Sequence, residues 1–227
     1  MKPRRAEDAR GLIYRLAMPC DIVHRFPMIL RLLLLLILTS LIHGQDSPRL
    51  ETLLMLPEPR ALRTEFSVVI AEAEKTVFSP AREIAGIPGI EVYPKEDFQR
   101  YGLSPETFAE RSKKTADRLL GELKADLVKD ANGKVLYAVY RGDRPIMACL
   151  LLAPSLSQKF QDVFGSEIWV ATPDRHSLYI FPAKPEALEE FVPDLAARFE
   201  EDVYAASSEV FALKAGQPPR VVASFVE

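Results

Sequence analysis

Seven consecutive aliphatic residues, Leu32-Leu-Leu-Leu-Leu-Ile-Leu38, constrain this chain more than any other feature. A run without a polar face cannot lie on the surface of a globular core as an amphipathic helix. It follows Met28-Ile-Leu-Arg31 and leads into Thr39-Ser40-Leu41-Ile42-His43-Gly44. A basic flank, a short apolar segment and a small residue make the pattern of a secretory signal. A signal core takes ~7–15 residues, whereas a membrane-spanning helix needs ~20, so the run is too short to span. The expectation is a leader over residues 1–44, with cleavage after Gly44 and Met28 as the better start. An uncleaved N-terminal anchor is the alternative. No cysteine closely follows the run, so nothing supports a lipid anchor.

Removing that segment changes the electrostatics. The net charge of the whole chain is −3. Residues 1–44 carry seven Lys/Arg and three Asp/Glu, a net +4, which leaves −7 on residues 45–227. An acidic domain of this kind argues against non-specific binding to nucleic acid or anionic lipid, both of which need basic surface. The leader also holds Cys20, His24 and His43, so residues 45–227 keep one thiol, Cys149, and one imidazole, His176. Cys149 sits in the apolar run Ile146–Leu152 and reads as a small buried hydrophobe, with no histidine close by to activate it.

The remaining chain reads as a linker over 45–60 and one domain over 61–227. Pro48, Pro57 and Pro59 punctuate the linker. Phe66, Val69, Ile70, Ala73 and Val77 recur at helical spacing and predict a helix over Leu62–Phe78. Ser79-Pro80 and Ile87-Pro-Gly89 break the chain, and Ile90–Tyr93 reads as a short strand. Ser104-Pro105-Glu106 combines a capping hydroxyl, a proline at the first helical position and an acid at the positive end of the dipole. The helix it opens carries Phe108, Leu119, Leu120, Leu123 and Leu127 as its apolar stripe and is expected to end at Asn132-Gly133. Strands are predicted at Val135–Tyr140, Ile146–Leu152, Glu167–Ala171, Leu178–Phe181, Val210–Leu213 and Val221–Phe225. Short helices are expected from Pro154 to Phe164 and from Pro185 onward, the second split at Pro193. Short connections favour antiparallel pairing. The fold class is therefore α+β: a mostly antiparallel sheet with helices packed on one face, preceded by the signal segment.

One stretch is similar to a known family. Ala153-Pro-Ser-Leu156, Phe164-Gly165, Trp169-Val-Ala-Thr-Pro-Asp-Arg175 and Leu178-Tyr-Ile-Phe181 resemble the YtpQ-like family of bacterial proteins, and Tyr204, Ser207 and Phe211 resemble its C-terminal segment. The resemblance covers roughly residues 130–213. It implies no activity, because none is assigned to the family.

The richest polar cluster is the loop Thr172-Pro-Asp-Arg-His-Ser177. Asp174, Arg175 and His176 side by side are the candidate ligand-binding residues, able in principle to bind an anion or form an acid–base pair. The competing reading is a turn in which Asp174 bonds its own backbone. A hydrolase using His176 with Ser155 or Ser157 lacks the Gly-x-Ser-x-Gly elbow. One histidine cannot make a multi-histidine zinc site, and neither a calcium loop nor a phosphate-binding glycine motif occurs. Tyr137, Tyr140, Trp169 and Tyr179 suit either core packing or the lining of a groove. No catalytic residue, metal or cofactor is expected. The reading is an exported domain, periplasmic or extracellular, that binds a protein, peptide or envelope component without catalysis. The alternative is a small hydrolase or ligand-binding enzyme centred on residues 172–177.

Overall fold

Two antiparallel sheets, one long helix and several short ones build the domain, and the alternation of side chains along the larger sheet explains how they are arranged. The computed structural model describes residues 53–226 apart from Ala85 and Tyr101. The expected leader, with Cys20, His24 and His43, lies outside the described residues. Among them, no helix is long and apolar enough to cross a membrane.

The small sheet has the order β1-β2-β3, formed by β1 (Leu53–Pro59), β2 (Thr76–Glu83) and β3 (Ile90–Val92). The large sheet has the order β4-β5-β7-β6-β8-β9. Its strands are β4 (Asp126–Lys129), β5 (Val135–Arg141), β6 (Glu167–Ala171), β7 (Ser177–Pro182), β8 (Glu209–Lys214) and β9 (Arg220–Ser224). Between them lie α1 (Lys95–Arg100), α2 (Pro105–Glu122), α3 (Leu156–Lys159), α4 (Gln161–Phe164), α5 (Pro185–Glu189) and α6 (Val192–Glu201). Among the described residues every strand pairing is antiparallel, as short connections favour for the hairpins β4–β5, β6–β7 and β8–β9.

Successive strand residues face opposite sides, and here both sides are apolar. Ala138, Tyr140, Ile168, Val170, Leu178 and Ile180 join the main core with β1, α2 and the 146–152 segment. Their neighbours Val139, Ala171, Tyr179 and Phe181 join a second core with Leu188 of α5 and Leu195 of α6. The large sheet is therefore a partition between two cores, with α2 on one face and α5 and α6 on the other, where helices were expected on one face alone.

Several expectations are corrected. Residues 53–59, expected as linker, form β1, whose Leu53, Leu54, Met55 and Leu56 are at most 1 % exposed. Its prolines disguise it. Phe78 exchanges backbone bonds with Val68, so the even-numbered residues of β2 face away from β1. Their odd-numbered neighbours pair with even-numbered residues of β1. Pro57 and Pro59 therefore turn their missing donors to the free side of an edge strand, where proline is tolerated. The helix expected over 62–78 is absent. Phe66, Val68 and Ile70 alternate instead, Val68 bridges Phe78, and the Phe66 ring stacks on Phe98 at 4.4 Å. The strand expected at 146–152 is a 3-10 helix over Met147–Leu152, buried from Met147 to Leu151. A short continuous apolar run carries no period by which strand and helix can be told apart.

The best sequence signals hold. The Ser104 hydroxyl accepts the Thr107 N–H at 3.2 Å, Pro105 opens α2, and hydrogen bonding from its own backbone N–H and then from Ser104 holds the Glu106 carboxyl below its ordinary range. α2 stops at Glu122, earlier than expected, and Leu127 falls in β4. Asn132-Gly133 turns the β4–β5 hairpin instead, with Gly133 at φ +83° and the Asp130 carboxylate accepting the N–H groups of Asn132 and Lys134.

Polar bonds tie distant segments across the sheets. The Thr76 and Ser207 hydroxyls share a 2.6 Å bond, and one Glu209 carboxylate oxygen accepts the N–H groups of Glu74 and Lys75 at 2.7 and 3.0 Å. These bonds pin the turn in which Glu72 adopts a φ of +68°, a strained conformation for a residue with a side chain.

Among the described residues four buried side-chain atoms lack a hydrogen-bond partner: the Tyr140 hydroxyl, Trp169 Nε1, Arg175 Nε and one Glu209 carboxylate oxygen. The Tyr140 hydroxyl is buried with no hydrogen-bond partner, and burial pushes its phenol up to about 12. The unfolded chain would ionise this tyrosine near pH 10, while the folded chain resists doing so, so its contribution to stability is lost as pH rises from 10 towards 12. Tyr140→Phe should raise stability by about 1 kcal/mol at neutral pH, by removing an unpaired buried hydroxyl. Melting temperatures between pH 8 and 11 should also fall less steeply in the variant than in the parent.

Candidate functional site

The loop between β6 and β7 brings its polar residues together, and most of their bonds point inward. Asp174 is buried; one carboxylate oxygen accepts the His176 N–H at 2.8 Å and the other the Ser177 hydroxyl at 2.6 Å. The Thr172 hydroxyl lies within bonding distance of the carbonyls of Asp174 and Ser177. The backbone is equally engaged. The Arg175 N–H donates to Tyr204, its carbonyl accepts Met147 N–H, and Pro173 and Thr172 accept the N–H groups of Ala206 and Ser207. The His176 ring Nδ1 donates to the Gly142 carbonyl at 3.1 Å. A carboxylate that already accepts a bond on each oxygen is poorly placed as a general base.

Arg175 leaves the loop to meet β1. Its guanidinium donates to the Glu58 carboxylate at 2.9 Å, with side-chain exposures of 15 % and 4 %, and stands over the Tyr204 ring at 5.5 Å. Asp174, Arg175 and His176 thus sit together, but as the knot that joins β6, β7, β1 and the 146–152 segment. Replacing Asp174 with Asn should cost about 1–2 kcal/mol in urea denaturation, since an amide cannot accept both bonds.

The serines considered with His176 are engaged elsewhere. The Ser155 hydroxyl donates to Asp117 at 2.8 Å, and Ser157 is buried beside Leu156 in α3. Cys149 is buried, and burial pushes its thiol up despite the opposing field of Arg175, so it lacks the exposed, activated thiolate a nucleophile requires. Among the described residues no cluster of three His, Cys, Asp or Glu side chains could hold a metal ion.

A different place has the shape of a site. Between the outer face of β5–β7 and helix α6 lies a cleft of about 450 Å³. Such a volume is within the range that holds small ligands. Tyr137, Tyr179 and Phe191 form its aromatic wall, with Tyr137 and Phe191 edge to face at 4.8 Å. Two guanidinium groups overlie the Tyr179 ring: Arg141 at 5.2 Å and Arg198 at 6.0 Å from its centroid. Arg141 also donates to the Tyr179 hydroxyl at 2.9 Å. Asp194 and Glu201 complete the rim, yet among the described residues neither arginine has a carboxylate within ion-pair distance. A second cavity of about 690 Å³, lined by Val135, Val163, Phe164 and Pro182, shares Phe191 as a wall.

Of the four aromatic residues considered for a groove, the cleft takes two. Tyr140 points into the main core and Trp169 packs in the second. Arg141 and Arg198 were not singled out from the sequence. Arg141 has the parity of Tyr137 and Val139 along β5, a legible hint that it shares their face. Arg198 lies just before the acidic run Glu200-Glu201-Asp202, which reads as a solvated helix face. No family model, curated protein or solved structure matches this chain.

Proposed function

We propose that this domain is a binding module without catalytic activity, and that the cleft between the β5–β7 face and α6 holds its ligand. The observation that carries this reading is the pair of guanidinium groups over Tyr179, in an open concavity, without a carboxylate partner. Aromatic walls with a few convergent polar groups are what ligand sites use to combine affinity with orientation. The stretch that resembles the YtpQ-like family, residues 130–213, includes every residue lining this cleft. The rival, a hydrolase at residues 172–177, has less support, because the Asp174 carboxylate and the neighbouring hydroxyls are engaged with one another.

A fragment and peptide screen by two-dimensional NMR tests the assignment. Ligands should move the signals of Tyr137, Arg141, Tyr179 and Arg198. Hits that move only residues 172–177 would transfer the site to that loop. Export of the domain is a separate reading that rests on residues 28–44. Fractionation should recover a shortened protein outside the cytosol, and full-length protein in the cytosol would overturn it.

A further inference from the structure

Resting on the cleft as the binding site, we propose that its ligand is a carboxylate carried on an aromatic or apolar body. The acid would be held by Arg141, Arg198 and the Tyr179 hydroxyl, and the body would lie against Tyr137 and Phe191.

Donors converge at one end of the cleft. Arg141 spends one N–H on the Tyr179 oxygen, and its planar fork retains others. Because that oxygen accepts from Arg141, its own hydrogen is left to donate outward. The Arg198 guanidinium makes no hydrogen bond or ion pair among the described residues and stands on the same ring. Two guanidinium groups and a phenol present donors without a matching acceptor, and a carboxylate supplies the planar, two-oxygen acceptor that guanidinium groups bind best.

The rim sets the charge of the ligand. Two arginines against Asp194 and Glu201 leave the lining near neutral. A single negative charge can be drawn to the arginine end, whereas a dianionic phosphate would face two carboxylates across the same cleft. The opposite wall is apolar, so the acid needs a body to bury: the Tyr137 and Phe191 rings offer edge and face for an aromatic ring.

Titration of the intact domain with matched probes tests this, with NMR signals of the cleft as the readout. The probes are 3-phenylpropionate, its neutral amide, 3-phenylpropylamine and phenyl phosphate. The carboxylate should bind about tenfold or more tightly than the amide, and Arg141→Gln or Arg198→Gln should each remove about that factor. Both arginines are exposed at the cleft mouth, so the variants should fold, and an unchanged melting temperature checks that they do. Equal affinity for acid and amide, or a preference for the amine or the phosphate, would overturn the carboxylate while leaving the cleft as the site. No movement of cleft signals by any probe at millimolar concentration would sink both. A phenylalanine-terminated peptide, as free acid and as amide, identifies the source. A peptide acid that outbinds phenylpropionate points to a chain end, and a weaker one to a free acid; the carboxylate stands in both cases.

Discussion

Deletion of residues 53–59 leaves a chain that does not fold. These residues form β1, and Leu53, Leu54, Met55 and Leu56 are its buried part, packed beneath α2 and the 146–152 segment. Burying each such side chain contributes about 1.5–3 kcal/mol, so the four together contribute about 6–12 kcal/mol. That is the size of the whole stability of a typical domain, about 5–15 kcal/mol. The loss extends further, because β2 would lose its longest pairing and Arg175 its carboxylate. A protein starting at residue 61 should show neither a cooperative melt nor dispersed NMR signals, and one starting at Ser47 should show both. A single substitution, Leu54→Ala, should cost about 2–5 kcal/mol.

Arg175→Met should lower stability by about 3–5 kcal/mol in urea denaturation, the loss expected when one partner of a buried ion pair is removed. The Glu58 carboxylate is 4 % exposed, and without the guanidinium it is left buried with no opposite charge beside it. Removing both charges tells a different story. Glu58→Leu combined with Arg175→Met leaves no orphaned ion, and the double variant should regain most of what either single change loses. The Arg175 Nε is itself buried without a partner, which reduces the net worth of the native pair and favours that recovery. Both outcomes differ from those of a ligand-binding arginine. Cleft binding should survive in the double variant, whereas Arg198→Gln should lose binding and keep stability.

The sequence is legible where local chemistry and long-range packing agree. Ser104-Pro105-Glu106 predicts the start of α2 because cap, proline and acid satisfy the same helix end. Strands β5 to β9 are recognisable from β-branched and aromatic runs between turn residues. Failures occur where a residue type has two uses. Proline reads as linker in Pro57 and Pro59, yet an edge strand hides the missing donor. Phe66 and Ile70 match a helical spacing and an alternating one equally well, and only the bridge between Val68 and Phe78 decides. For the candidate site, the loop 172–177 is found, but its purpose is not. Asp174 and Arg175 are polar because they hold a buried junction together, and sequence does not distinguish that need from catalysis. Arg141 and Arg198 are fifty-seven positions apart, and their meeting over Tyr179 depends on β5 pairing with β7.

The bonds that tie the two sheets have a consequence in time. Glu58 and Arg175 are 117 residues apart, Thr76 and Ser207 are 131 apart, and Lys75 reaches Ser224 across 149. At synthesis rates of ~5–20 residues per second, roughly 6–23 s separate the emergence of Glu58 from that of Arg175. Throughout that interval β1, the most apolar strand of the small sheet, has been made while the knot that locks it in place has not. Closure of the domain is thus a late event, governed by the last third of the chain, and a nascent molecule stays open for most of the time it is being made.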